Sequence, residues 1–184
     1  MGRVIAGMTM SLDGFVADAE GEVGRLYPDF AEFAASPSMA ATIAGTGAVV
    51  MGRRTFEMGD PEAYVGHYEF QVPIFVVTTH PPARQPKQDD HLTFTFVAEG
   101  VAAAIAQARD AAGERDVQVV GGPNVIQQAL RAGLVDELHV DVVPVLLGGG
   151  LPLFGDSGMA RVQLALKEIE RQGQRTGLRF SVVR

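Results

Sequence analysis

Apolar residues fall along this chain in short runs punctuated by glycine and proline, and the runs switch between a strand period and a helix period. Val4 to Met10 is an apolar run containing β-branched residues; it halts at the turn sequence Ser11-Leu12-Asp13-Gly14 before Phe15-Val16-Ala17. The spacing predicts strand, turn and short strand. Behind Pro28 and Asp29, the residues Phe30, Phe33 and Ala34 recur at helical spacing, and Pro37 is expected to break or restart that helix. Ala48-Val49-Val50-Met51 reads as a buried strand ending at Gly52, with a short helix over Arg53 to Met58.

Ile74 to Thr79 and Leu92 to Val97 read as two further strands flanking a polar loop. Gly100 to Ala112 places Val101, Ile105 and Ala108 on one face of a helix that Gly113 ends. Val117 to Val120 is then a strand, Gly121-Gly122 a tight turn, and Pro123 to Ala132 a helix closed by Gly133. Asp136 to Val143 alternates as a strand and leads into a loop over Gly148-Gly149-Gly150. Val162 to Ile169 and Leu178 to Val183 alternate with period two around Gln172-Gly173-Gln174, which predicts a terminal hairpin. Strands alternating with helices, followed by a hairpin, predict an α/β fold. Its mixed sheet should be mostly parallel with a C-terminal antiparallel hairpin, and helices should cover both faces.

Composition narrows the class. A chain of 184 residues that is 47% hydrophobic and 20% charged is a folded globule, read here as a single domain over residues 1–184. Cysteine is absent, so disulfides, thiolate metal sites and a cysteine nucleophile are excluded, which suits a reducing cytoplasm. Ser11 and Asp13 arrive too early for a signal-peptide apolar stretch, and no run is long enough to span a membrane. Fifteen Lys and Arg against 22 Asp and Glu give a net charge of −7, which repels polyanions. With no Trp and three Tyr there are few stacking platforms for bases. Neither nucleic acid nor membrane is an expected partner; a small-molecule substrate is.

Two strand-to-helix junctions could carry chemistry. At Gly121-Gly122-Pro123-Asn124-Val125 a buried strand turns through two glycines into a helix, where free amides and the helix dipole favour phosphate. The same residues could form a plain tight turn. At Gly52-Arg53-Arg54-Thr55 two guanidinium groups sit at a helix start, against the dipole, which suggests an anionic ligand; solvated arginines are the other reading. Thr78-Thr79-His80 offers hydroxyls at another strand end. His139 and Asp141, two apart on a strand, are half a metal site, and no metal is expected. Phosphate-loop, nucleophile-elbow and zinc-protease motifs are missing, and Gly148-Gly149-Gly150 does not open a helix as a Rossmann glycine run should.

Four motifs in order, Met10-Ser11-Leu12-Asp13-Gly14, Val50-Met51-Gly52-Arg53-Arg54-Thr55-Phe56, Val120-Gly121-Gly122-Pro123 and Pro144 to Phe154, resemble the dihydrofolate reductase-like superfamily. They are most similar to its branch related to the pyrimidine reductase domain of bacterial riboflavin biosynthesis, over nearly the whole chain. The resemblance implies NADPH as cofactor. It implies phosphate contacts from Gly52, Arg53, Arg54 and Thr55, an adenosine side at Thr78, Thr79 and His80, and a pyrophosphate turn at Gly121, Gly122, Pro123, Asn124 and Val125. It offers two catalytic candidates: Asp29, matching an acidic substrate-binding residue, and Asp13, facing nicotinamide and substrate. Helix-start chemistry and an Asx turn are the ordinary readings of those two. The lack of Trp departs from folate reductases, and the zinc ligands of a fused deaminase are missing. The expectation is therefore an NADPH-dependent oxidoreductase that transfers hydride to a small heterocyclic or carbonyl compound, pteridine- or pyrimidine-like, and forms a homodimer as the branch commonly does. The alternative is a non-catalytic nucleotide- or flavin-binding protein using the same pocket.

Overall fold

The computed structural model describes residues 2–155 and 161–183. Its framework is an eight-stranded sheet with β1 (Val4–Ser11) near the middle. On one side β1 pairs in parallel with β6 (Asp116–Val119), Val4 opposite Val117, and on the other with β7 (Glu137–Val143), Thr9 opposite Asp141. Beyond β6 lie β3 (Thr46–Gly52), β4 (Ile74–Val77) and β5 (Phe94–Val97), all parallel. Beyond β7 lie β10 (Arg175–Val183) and then β9 (Gln163–Gln172), antiparallel. The expected mostly parallel sheet ending in an antiparallel hairpin is the observed one.

Every residue of β3 is buried, which explains its unbroken apolar run: a parallel strand covered on both faces has no polar side. Ala48 and Val50 join a core with α5 (Val101–Ala112) and α6 (Pro123–Arg131), where Ile105 and Ile126 are sealed from solvent. Val49 and Met51 face a second core holding Phe56 of α3 (Arg53–Met58) and Tyr64 of α4 (Tyr64–His67). Burying one such aliphatic side chain stabilises the fold by about 1.5–3 kcal/mol. In α5, Val101, Ala104, Ile105, Ala108 and Ala112 make the buried stripe, and Gly113 at φ +64 ends it.

Pro37 restarts rather than ends the helical stretch. α1 (Phe30–Ala34) stops at Ala35, and Ser36 accepts the Met39 amide at 3.1 Å to cap α2 (Pro37–Gly45). Three short elements escape the sequence pattern: a single 3-10 turn at Gly24–Leu26, the four-residue α4, and β8 (Leu151–Pro152), which pairs with β2 (Phe15–Ala17). The glycine triplet therefore leads into a paired segment, with Gln127 Nε2 donating to the Leu153 carbonyl at 2.7 Å.

The hairpin departs from expectation in one respect. Period-two alternation normally marks one buried face, yet Leu166 and Ile169 on the outermost strand are 56% and 61% exposed. Among the described residues no element covers them. On the other face of these strands charges alternate: Glu137 accepts from Arg3 at 2.9 Å, Lys167 at 2.5 Å and His139 at 3.0 Å, and Arg179 donates to Asp141 at 2.8 Å.

Candidate cofactor and substrate site

The strands β4, β3, β6 and β1 are neighbours and parallel, so their carboxyl ends open at one edge of the sheet. That edge is where open α/β sheets bind ligands. It carries Thr78-Thr79-His80 after β4, Gly52 to Thr55 after β3, Gly121 to Val125 after β6 and Asp13 after β1.

The two glycine junctions touch. The Gly52 amide donates to the Gly121 carbonyl at 2.7 Å, and a Cβ placed on Gly52 would lie 3.1 Å from Val125 Cγ2. Thr55 Oγ1 would sit 3.6 Å and 3.7 Å from Cβ atoms on Gly121 and Gly122. Gly121 has φ +118, a conformation that side chains rarely adopt, and its Cβ would meet Met8 Cε at 2.6 Å. Neither α3 nor α6 has a side-chain cap at its N-terminus, so both present amide donors and the positive dipole end at this place. A cradle shaped by missing side chains beside two uncapped helix starts fits a dinucleotide pyrophosphate.

The arginines differ in their engagement. Arg53 donates from Nε to Glu57 at 2.6 Å and from its terminal nitrogen to the His80 carbonyl at 2.8 Å, which ties α3 to the end of β4. The His80 amide donates to Thr78 Oγ1 at 3.1 Å, and Thr79 Oγ1 lies 2.8 Å from His80 Nδ1. Arg54 is exposed. Asn124, also exposed, accepts from Gln128 Nε2 one turn along α6.

Asp13 sits in the β1–β2 turn and holds the opposite loop. Its carboxylate accepts from Ser11 Oγ at 2.5 Å, the Leu147 amide at 3.1 Å and the Gly148 amide at 2.7 Å. The Ser11 hydroxyl keeps the carboxyl below its usual range; desolvation opposes it, and the Gly148 and Leu147 amides add to the lowering. Asp13 is thus a carboxylate at neutral pH.

Asp29 precedes α1 but gives that helix no side-chain cap. It pairs instead with Arg175 of β10, which donates at 2.7 Å to Oδ1 and 3.3 Å to Oδ2. Arg175 is 1% exposed and also donates to Thr9 Oγ1 at 2.9 Å and the Leu26 carbonyl at 3.2 Å. Its guanidinium lies 4.3 Å from the Phe33 ring centre and 5.5 Å from that of Tyr27. Hydrogen bonding from Arg175 outweighs burial and holds the Asp29 carboxyl low. Burial pushes the Tyr27 phenol up against its hydrogen bond with Thr9.

The structure thus brings the twelve candidate cofactor residues to one sheet edge, with Asp13 on the adjoining turn, while Asp29 stands just before α1, linked to β1 through Arg175 and Thr9. The sequence reading missed Arg175 and Thr9. An isolated arginine in a period-two strand has no local partner to mark it, and its partners lie 146 and 166 residues away.

Residues 3–178 match the family described as the RibD C-terminal domain. The chain belongs to that family. Among related proteins, the RibD C-terminal domain here is 27% identical over 178 residues to YwjB of Bacillus subtilis (strain 168), an uncharacterised protein, covering 97% of each chain. Its fold matches a protein ascribed to riboflavin biosynthesis in Shewanella sp. PV-4, with a TM-score of 0.77, 24% identity and 99% coverage of both chains. It also matches the Enterococcus faecalis dihydrofolate reductase complexed with NADP(H), with a TM-score of 0.62, 18% identity, and 98% and 96% coverage. The fold is dihydrofolate reductase-like, as the four motifs implied. Among the described residues no helix is long and apolar enough to cross a membrane, and no group of three or more His, Asp or Glu could hold a metal ion.

Proposed function

We propose that this protein is an NADPH-dependent reductase of a small heterocyclic or carbonyl compound. The observation that carries the reading is the contact between the Gly52 and Gly121 junctions, which gives one dinucleotide both helix starts at once. Family membership and the NADP(H)-bound reductase of like fold support it.

In this reading Gly121, Gly122 and the first amides of α6 hold the pyrophosphate, with Thr55 beside them, while Arg53 braces the adenosine side through His80. In this reading the exposed Arg54, at the start of α3, meets the additional phosphate that distinguishes NADPH from NADH. When bound, the cofactor supplies hydride. The protein's part is then to place an acceptor beside it and exclude water. Asp13 clasps the Leu147–Gly148 segment against the end of β1, and Asp29, paired with Arg175, is the second acidic group that this reading assigns to the substrate. A soluble cytoplasmic enzyme is consistent with the cysteine-free composition.

The uncovered Leu164, Leu166 and Ile169 on the outer strand support a homodimer that buries them, because a long apolar edge strand is otherwise an aggregation hazard. Light scattering on the purified chain should return twice the 19.5 kDa chain mass.

Titration of the full chain with NADPH and NADH tests the central reading. Saturable binding that favours NADPH is expected; absence of binding to either at high micromolar concentration overturns it. One observation favours a second reading, a nucleotide- or flavin-binding protein without turnover: both candidate acids are held as carboxylates. Steady NADPH consumption with any pterin, pyrimidine or quinone acceptor rules that reading out.

A further inference from the structure

The sheet face that carries Ile5 and Gln118 is crossed by α2, yet none of the nine residues of that helix is buried. Between helix and sheet lies a cavity of about 520 Å³, a size that small-ligand sites commonly have. The helix turns its small residues Ser38, Ala41, Thr42 and Gly45 to this slot, and Ile5 and Gln118 form the floor. Gln118 stands between Ile5 of β1 and Val49 of β3 and is 6% exposed. Its side-chain amide has no hydrogen-bond partner among the described residues, yet neither its oxygen nor its nitrogen is sealed, so both can be reached from the cavity. A polar group placed so deeply and left alone is costly. An amide is satisfied by a partner that offers a donor and an acceptor side by side.

The rim of the slot is charged but engaged with itself. Arg3 holds Asp116 at 2.6 Å and Glu137 at 2.9 Å, Lys167 reaches Glu137 at 2.5 Å, and Arg179 reaches Asp141 at 2.8 Å. Burial keeps the His139 imidazole below its ordinary range and hence uncharged at neutral pH. Glu168, exposed on β9, adds negative charge at the mouth. An anion would enter against carboxylates whose cations are already taken, and a cation would give up its hydration to a lone neutral amide. We propose that this slot is a second ligand site, for a flat, neutral ring compound with a lactam edge. The N–H and C=O of that edge pair with the C=O and NH2 of Gln118, and the ring lies on Ile5 beneath the small face of α2. The site is separate from the cofactor edge, because Gln118 precedes Gly121 by three positions, about 10 Å of extended chain. It goes beyond the reductase reading and does not rest on it.

The test is amide NMR titration of the full chain with α-pyridone, a flat neutral lactam, and with its N-methyl form, which keeps the ring and the carbonyl but lacks the donor. α-Pyridone is expected to bind saturably and to shift amides of Ile5, Gln118 and residues 38–45, and the N-methyl form to bind at least about tenfold more weakly. Gln118→Leu should weaken α-pyridone about tenfold while raising the urea midpoint, since it removes a buried amide that has no partner. Ala41→Leu, on the exposed helix and pointing into the slot, should weaken α-pyridone as much without moving the midpoint, and it carries the test alone if Gln118→Leu does not fold. Absence of saturable binding, equal binding of the N-methyl form, or indifference to Ala41→Leu overturns the proposal. NADPH titration is read separately. Displacement of α-pyridone by NADPH would place the ring at the cofactor edge and overturn the proposal, whereas α-pyridone binding without any NADPH binding removes the reductase reading and leaves this site.

Discussion

The amide of Gly52 donates to the carbonyl of Gly121 across 2.7 Å, joining the exits of two adjacent parallel strands into a single surface. Each glycine is needed there for a different reason. Gly52 has ordinary extended φ but no room, with Val125 Cγ2 3.1 Å from where its Cβ would stand, whereas Gly121 has both φ +118 and Met8 in the way.

Gly121→Ala should therefore cost about 1–3 kcal/mol of stability through backbone strain and weaken NADPH binding as well. Gly52→Ala should cost less stability, because Val125 needs to give only slightly, yet should weaken NADPH by parting the two junctions. Urea unfolding and fluorescence titration of the two variants separate these effects. Equal losses of stability would show that the positive φ is not what restricts Gly121.

Arg54→Ala should lose about 1.5–3 kcal/mol of NADPH affinity, as charge-assisted hydrogen bonds do, while NADH binding barely changes. Arg53→Ala should affect both dinucleotides alike, because Arg53 is bound to Glu57 and the His80 carbonyl and acts by bracing the end of β4. A preference for NADPH that survives Arg54→Ala would move the selectivity to another residue.

Arg175→Met removes a buried cation and leaves Asp29, whose side chain is 23% exposed, without its partner. Breaking such a pair from one side should destabilise the protein by about 3 kcal/mol. Asp29→Asn, which keeps the shape and one acceptor, should cost less. Thermal unfolding of both variants and of the double variant measures the coupling, and additive losses would mean that the two side chains do not act as a pair.

Glu137 carries the clearest pH dependence. Burial alone would raise its carboxyl, but hydrogen bonds from Lys167, His139 and Arg3 bring it down to about 2 from the ordinary 4.5. A folded-state value below the unfolded one means that its contribution is complete above about pH 5 and is lost as pH falls towards 2, on the order of 3 kcal/mol. His139, held low chiefly by burial, adds to acid sensitivity as the unfolded chain takes up its proton below its ordinary 6.5. Urea midpoints between pH 7 and pH 2.5 should fall for the native protein and fall less for Glu137→Gln; parallel curves would discount the cluster.

What the sequence determined by itself was local. Apolar period, turn residues and helix-ending glycines are properties of neighbouring positions, so the strands, the main helices and both glycine junctions were legible, with errors confined to elements as short as α4 and β8. The parallel body and terminal hairpin followed from the order of those elements. Tertiary structure alone decided which junctions meet, that Arg53 reaches His80, that Asp13 clasps Leu147 and Gly148, and that Arg175 holds Asp29. These pairs are separated by 27 to 146 positions and depend on strand order and side-chain direction, which no pattern among near neighbours encodes. The bare apolar face of β9 belongs to the same class, since period two states that a face is apolar but not whether anything in the chain comes to cover it.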